Sequence, residues 1–259
     1  MKKRLLIGAL VVVVALAAFA VFGRAIWYPL YLRVAGVRSV TDVVARYGPA
    51  ARKRLKPHFD RAGVAWPPKR IAFLVFKKEK RVAVWAKGDG EWRFIRDYPI
   101  LAASGHAGPK LRQGDYQVPE GVYRLEWLNP NSSYHLSMKV NYPNEFDRSM
   151  ATRDRRTNLG GDIFIHGKAV SIGCVAVGDP AIEELFTLVA QTGHAKVKVI
   201  IAPNDLRTGG AVLHAGAPLW VAQLYRTVAA ALTEFPVWME SRSAIDVQGT
   251  SKSKVQRIK

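Results

Sequence analysis

The chain opens on Met1-Lys2-Lys3-Arg4 and then runs apolar without a break from residue 5 to residue 22. At ~1.5 Å per residue such a run nearly crosses a hydrocarbon core, and its basic flank belongs on the cytoplasmic side. Arg24 closes the run, and Trp27, Tyr28 and Tyr31 suit the far interface. Residues 1–30 therefore read as a signal anchor, an N-terminal membrane helix that leaves the rest of the chain in the periplasm. A cleaved signal peptide is the competing reading, because Ala18-Phe19-Ala20 has the small-residue spacing of a cleavage site; the length of the apolar run favours the anchor.

Residues 39–63 carry a helical pattern in pieces. Ser39 or Thr41 caps a first piece with Val43, Val44 and Tyr47 on one face, and Gly48-Pro49 interrupts it. Arg52, Lys53, Arg54 and Lys56 then form a basic cluster, read as a solvated face or as a contact with anionic headgroups worth ~1 kcal/mol per residue. Pro67-Pro68 ends this juxtamembrane segment, residues 31–68. The period then changes. Residues 71–76 are a buried-strand run, 81–86 alternate, Gly88-Asp89-Gly90 supplies a turn, and 92–95, 116–118, 122–127, 134–140 and 163–165 continue the β pattern. Residues 144–158 are polar and charged, a candidate substrate-gripping loop. A helix starts at Asp179 as N-cap with Pro180 in its first turn, shows Ile182, Leu185, Phe186 and Val189 on one face, and ends at Gly193; residues 196–202 form a closing strand. Residues 219–235 predict an amphipathic helix, and 251–259 a disordered basic tail. The fold class is mostly β with flanking helices (α+β): a catalytic domain over residues 69–203, and a C-terminal helix and tail over 204–259.

Charge narrows the partners. With 39 Lys+Arg against 20 Asp+Glu the net charge is +19, a field that favours nucleic acid, anionic lipid or a carboxylate-rich wall. Export removes nucleic acid, and no zinc-finger, RNA-recognition or helix-turn-helix pattern is present in the sequence. No spacing of His, Cys, Asp or Glu suits a metal, so no metal and no cofactor are expected. The single cysteine, Cys174, has no disulfide partner within the chain, and His166 precedes it by a few residues. A thiol attacks as thiolate, and an imidazole touching it can take that proton and later return it. Gly167 permits a sharp exit after His166, Gly173 clears space beside the sulfur, and the backbone N–H groups of Gly173 and Cys174 are candidate oxyanion donors. The bland alternative is a buried cysteine and a satisfied core histidine. His135 reads as a strand-face residue that either meets solvent or lines the cleft, and His58, His106, His194 and His214 have no assigned role.

His166-Gly167 followed by Ser171-Ile172-Gly173-Cys174 resembles the active-site signature of the YkuD-like L,D-transpeptidases, a His-Gly followed by Ser/Thr-His-Gly-Cys. Upstream, Ser104-Gly105 and Gly114-Asp115-Tyr116-Gln117-Val118-Pro119-Glu120-Gly121-Val122-Tyr123 are similar to the family's Ser-Gly and Thr-Pro-x-Gly-x-Tyr/Phe motifs. Asn129-Pro130-Asn131-Ser132 and Asn141-Tyr142-Pro143-Asn144 resemble the YafK-type branch, and the whole resemblance spans roughly residues 70–203. Ile172 replaces the usual second histidine, and Ala176 the usual arginine or asparagine. The resemblance implies a YkuD-like β-sandwich, with Cys174 as nucleophile and His166 as proton donor and acceptor. It implies peptidoglycan stem peptides as substrate, bound through a Cys thioester; with that substrate, Arg153, Arg155 and Arg156 of the polar loop read either as partners of its carboxylates or as a merely solvated loop, and Tyr142 and Ser171 are further candidate substrate contacts. Transpeptidation is the first reading. Hydrolysis that frees murein-bound lipoprotein or trims stems is the alternative, and a non-catalytic wall-binding scaffold the second.

Overall fold

The computed structural model describes residues 2–211 and 216–237. The expected basic tail and His214 lie outside the described residues.

Three helices come first. α1 (Lys2–Phe22) and α2 (Arg24–Ala35) carry the N-terminal apolar run and its aromatic edge. Among the described residues no helix is long and apolar enough to cross a membrane; the uninterrupted stretch of described side chains in α1 covers only residues 6–20, all of them exposed. α3 (Val40–Ala62) is one helix, not pieces. It passes through Pro49 and Pro57 because a buried stripe of Val43, Gly48, Ala51, Leu55 and Phe59 holds it against the domain. Ser39 caps it reciprocally with Asp42, and Gly63 closes it in a left-handed conformation.

The domain that follows is built on one sheet. Its strands are β1 (Arg70–Phe76), β2 (Arg81–Lys87), β3 (Arg93–Pro99), β4 (Gly121–Asn129), β5 (Ser137–Val140), β6 (Phe164–His166), β7 (Val175–Ala176) and β8 (Val197–Ala202). They lie in the order β3-β2-β1-β8-β4-β5-β6-β7, with β1/β8 and β6/β7 parallel and the other pairs antiparallel. The helices α4 (Glu145–Arg153), α5 (Asp179–Thr192) and α6 (Val221–Leu232) complete it.

The expected β-sandwich is corrected to a single mixed sheet with helices on both faces. β1 shows why: Ile71, Phe73 and Val75 enter one core with Leu55 of α3 and Leu185 of α5, while Ala72, Leu74 and Phe76 enter another with Leu224 and Val228 of α6. A strand covered on both faces loses the alternation of a sandwich strand and reads as a continuous apolar run. A bulge between Leu125 and Trp127 lets β4 pair β8 along one half and β5 along the other, so the sheet curls toward its β7 edge. Three local expectations also change. Residues 116–118 are irregular, held by side-chain bonds. Residues 134–136 are a turn ahead of β5. The polar segment 144–158 contains α4, whose Asn144–Asp147 capping box nucleates a helix where turn residues alone suggested a loop.

On the α5 face lies a buried charge cluster. Glu184 is 3% exposed and receives hydrogen bonds from Arg54 of α3, Arg96 of β3 at 2.9 Å and Tyr98 at 2.6 Å. Arg54 of the basic cluster is thus committed to the domain, while Arg52 lies over Trp66 and Lys56 pairs with Asp60.

Candidate active site

The site grows from the parallel pairing of β6 and β7. Ile165 is level with Val175 and His166 with Ala176. Cys174 directly precedes β7, and His166 ends β6. Both side chains line one open cavity of about 620 Å³, with Trp127, Tyr134, Phe164 and Ile172 among its apolar walls and Lys110, Asn129, Ser137 and Asp162 among its polar ones.

Two glycines shape the connecting loop. A Cβ on Gly167 would sit 2.7 Å from both the Asp179 carboxylate and the Tyr134 carbonyl, so the chain can leave β6 there only without a side chain. Gly173 has φ +121°, a conformation that other residues rarely adopt, immediately before the cysteine. Asp179 is the first residue of α5, not its cap. Gly178 is the cap, and the Asp179 carboxylate is turned back to accept from the Lys168 backbone N–H at 2.9 Å, anchoring the loop's start.

His166 is 2% exposed, and its Nδ1–H donates to the Gly167 carbonyl at 2.6 Å. That bond fixes the neutral tautomer with the lone pair on Nε2. Burial lowers the imidazole below its ordinary range, only partly opposed by the Gly167 bond. The Tyr134 ring lies 4.7 Å from the imidazole, tilted by 36°. Cys174 is a free, half-buried thiol whose Sγ–H donates to the Asp162 carbonyl at 3.5 Å. Burial raises the thiol above its ordinary range, offset in part by a backbone bond and by Lys139 and Lys110. The two share a cavity, the sulfur's hydrogen bond goes to Asp162, and burial shifts the thiol up and the imidazole down, each toward its neutral form.

The remaining expected site residues separate. Ser171 donates to the Cys174 carbonyl at 2.7 Å and accepts from the N–H groups of Cys174 at 3.0 Å and Gly173 at 3.3 Å. The candidate oxyanion donors at Gly173 and Cys174 are thus occupied by Ser171 in this resting arrangement. Tyr142 is buried, its hydroxyl donating to backbone carbonyls at Lys110 and Leu159. Arg153, Arg155 and Arg156 are absent from the cavity lining. Arg156 instead binds Asp154 and the Leu111 carbonyl and lies over Trp220. His135, in a turn at φ +75°, pairs with Glu183 at 3.0 Å.

Sequence reasoning missed several cavity residues. Lys110, 7% exposed, is held by Asp115, which also accepts from the N–H groups of Leu111, Arg112 and Gln117 and so folds the overhang bearing Gln113 and Tyr116. Tyr116 and Asp162 both have positive φ, 52° and 53°, backbone strain gathered at the cavity. The aspartate with consecutive small-loop residues was the available signal for the overhang; nothing local marked Tyr134 or Trp127. Among the described residues no group of three His, Cys, Asp or Glu could hold a metal ion.

A glycine-framed cysteine and a buried imidazole whose Nδ1–H is fixed by the Gly167 carbonyl thus line one cavity. The L,D-transpeptidase catalytic domain model, YkuD, matches residues 70–201, and the chain belongs to that family. YafK proteins from two Escherichia coli strains are 34% identical over 138 residues, covering 51% of this chain and 54% of theirs, so the chain spans about half the length of the curated relatives it matches. The helical cell shape determining protein Pgp2 from Campylobacter jejuni is 24% identical with a TM-score of 0.44, over 52% of this chain and 48% of that one.

Proposed function

We propose that the protein is a peptidoglycan-modifying enzyme in which Cys174 attacks a stem-peptide carbonyl. The thiol proton passes to Nε2 of His166 as the C–S bond forms, and His166 returns it to the departing amine as the C–N bond breaks. A thioester remains on Cys174. An incoming amine then attacks the acyl carbon, giving a new amide and restoring the thiol. The observation that carries this reading is the shared cavity of Cys174 and His166 in a chain of the L,D-transpeptidase family. Neutral resting partners suit the chemistry, since the proton moves only once an acyl group is present.

Hydrolysis is the second reading, favoured by Ile172. It stands 72% exposed at the cavity rim where the family's usual histidine is missing, leaving one fewer group to manage an amine acceptor. The freed partner would then be a stem fragment or murein-bound lipoprotein. Incubating the protein with purified sacculi, with and without an added amine, and analysing the muropeptides by mass spectrometry separates the outcomes. New crosslinks support transfer, trimmed stems or released lipoprotein support hydrolysis, and an unchanged wall rejects both.

For location, we propose that α1 is seated in the inner membrane with the domain in the periplasm. Its described side chains from 6 to 20 are exposed and without an ionisable group, an apolar surface left uncovered among the described residues. Alkaline carbonate extraction tests this: retention in the membrane fraction is expected, and release would reject it.

A further inference from the structure

The end of β4 and the segment that joins it to β5 supply Asn129, Ser132, Ser133 and Tyr134 to the cavity. It has little regular structure of its own, yet it sets the Tyr134 ring beside His166. What fastens it comes from outside the matched catalytic region. The Arg38 backbone N–H donates to Asn131 Oδ1 at 2.8 Å, and Asn131 Nδ2 donates back to the Arg38 carbonyl at 2.7 Å. The Arg38 guanidinium donates to the carbonyls of Pro130 and, at 3.3 Å, of His135. Both ends of the segment are thereby held by one residue, which lies between the end of α2 at Ala35 and the α3 cap at Ser39. His135 is further fixed by Glu183 of α5 and by the edge of Tyr47 of α3, 5.2 Å away.

We infer that Arg38 and Asn131 form a clamp through which the N-terminal helical segment positions the cavity wall of residues 129–135, and so tunes the fit of the site to its peptide substrate. The second half rests on the function proposed above; the first does not. Arg38 and Asn131 are positioning residues. Neither is among the residues lining the cavity. Arg38→Ala removes the guanidinium bonds to Pro130 and His135, and Asn131→Ala removes the two bonds to the Arg38 backbone, so the variants cut separate bonds of one segment.

The test uses the full chain as wild type, Arg38→Ala, Asn131→Ala and the double variant. Amide hydrogen exchange over residues 130–135 is read against β1 as an internal control of the fold. Exchange in 130–135 should quicken about tenfold in each single variant, consistent with losing one to two hydrogen bonds, and further in the double, which loses both sets, with β1 protection unchanged. NMR signals of the His166 ring should move downfield as the Tyr134 ring leaves it. With a stem-peptide substrate, KM should rise about tenfold while kcat stays close to wild type. Unchanged exchange in 130–135 would overturn the clamp, as would a double variant no faster than either single one or loss of β1 protection in parallel. A rise in exchange with unchanged KM would overturn its link to substrate. If the wild-type protein turns over no stem peptide, the functional reading fails, and exchange and ring shifts alone decide the clamp.

Discussion

Replacing Ser171 with alanine separates two roles for the turn before the thiol. Ser171 Oγ makes three hydrogen bonds there, one to the Cys174 carbonyl at 2.7 Å and two from the N–H groups of Cys174 and Gly173. At about 1 kcal/mol each they sum to about 3 kcal/mol. Water entering a half-buried site recovers part of that, leaving about 1–2 kcal/mol, or about 5- to 30-fold in the population of the working turn. If the bonds hold Gly173 at its φ of +121° and so aim the sulfur, kcat/KM on muropeptides should fall about tenfold in Ser171→Ala. Ser171→Thr, which keeps the oxygen, should recover most of the loss, and thermal melting should show that the domain remains folded. The opposite sign refutes the reasoning. A faster Ser171→Ala enzyme would mean that Ser171 competes with the substrate oxyanion for those N–H groups and that the turn stands without it.

Three further outcomes follow from the same geometry. Burial holds the Cys174 thiol neutral, so iodoacetamide labelling of the free protein should climb only above the ordinary thiol pKa of about 8.5, and fast labelling near neutral pH would contradict this. Glu184→Ala strands Arg54, Arg96 and Tyr98 around an emptied buried site and should cost about 3 kcal/mol in urea unfolding, near the lower bound for breaking a buried pair because the arginines keep some contact with water; a loss under about 1 kcal/mol would show that water replaces the carboxylate freely. Asp147 is pushed up to about 6 by burial, against the bonds from Asn144 and Tyr123. Its folded pKa lies above its unfolded one, so the stabilisation it gives is complete below the ordinary carboxylate range and is lost as pH rises through about 6. Asp147→Asn should flatten that part of the stability profile measured by denaturant titration, and an unaltered profile would reject the assignment.

Much of the site was legible in the sequence because it is local. His166, Gly167, Ser171, Gly173 and Cys174 fall within one strand-loop-strand, and the family resemblance of that short stretch, rather than the residue types alone, singled it out. The continuous apolar run of β1 also carried its double-sided burial, although the helix on its second face comes from residues 221–232, far along the chain. What escaped was set by distant contacts. α3 stays whole through two prolines because α5 packs along it, a tertiary override of local propensity. The arginines after α4 looked poised to grip substrate, but Asp154, Leu111 and Trp220 claim Arg156 from three separate segments. Burial, invisible in the pattern, also shifts the Cys174 thiol up and the His166 imidazole down.

In the proposed reaction a peptidoglycan acyl group becomes bonded to Cys174 with help from His166. Intact-protein mass spectrometry after brief exposure to a disaccharide-tetrapeptide reads that bond. A labile adduct mapped to Cys174 is expected, absent in Cys174→Ser and greatly slowed in His166→Ala. An unmodified protein under turnover, or an adduct on any other residue, would contradict it.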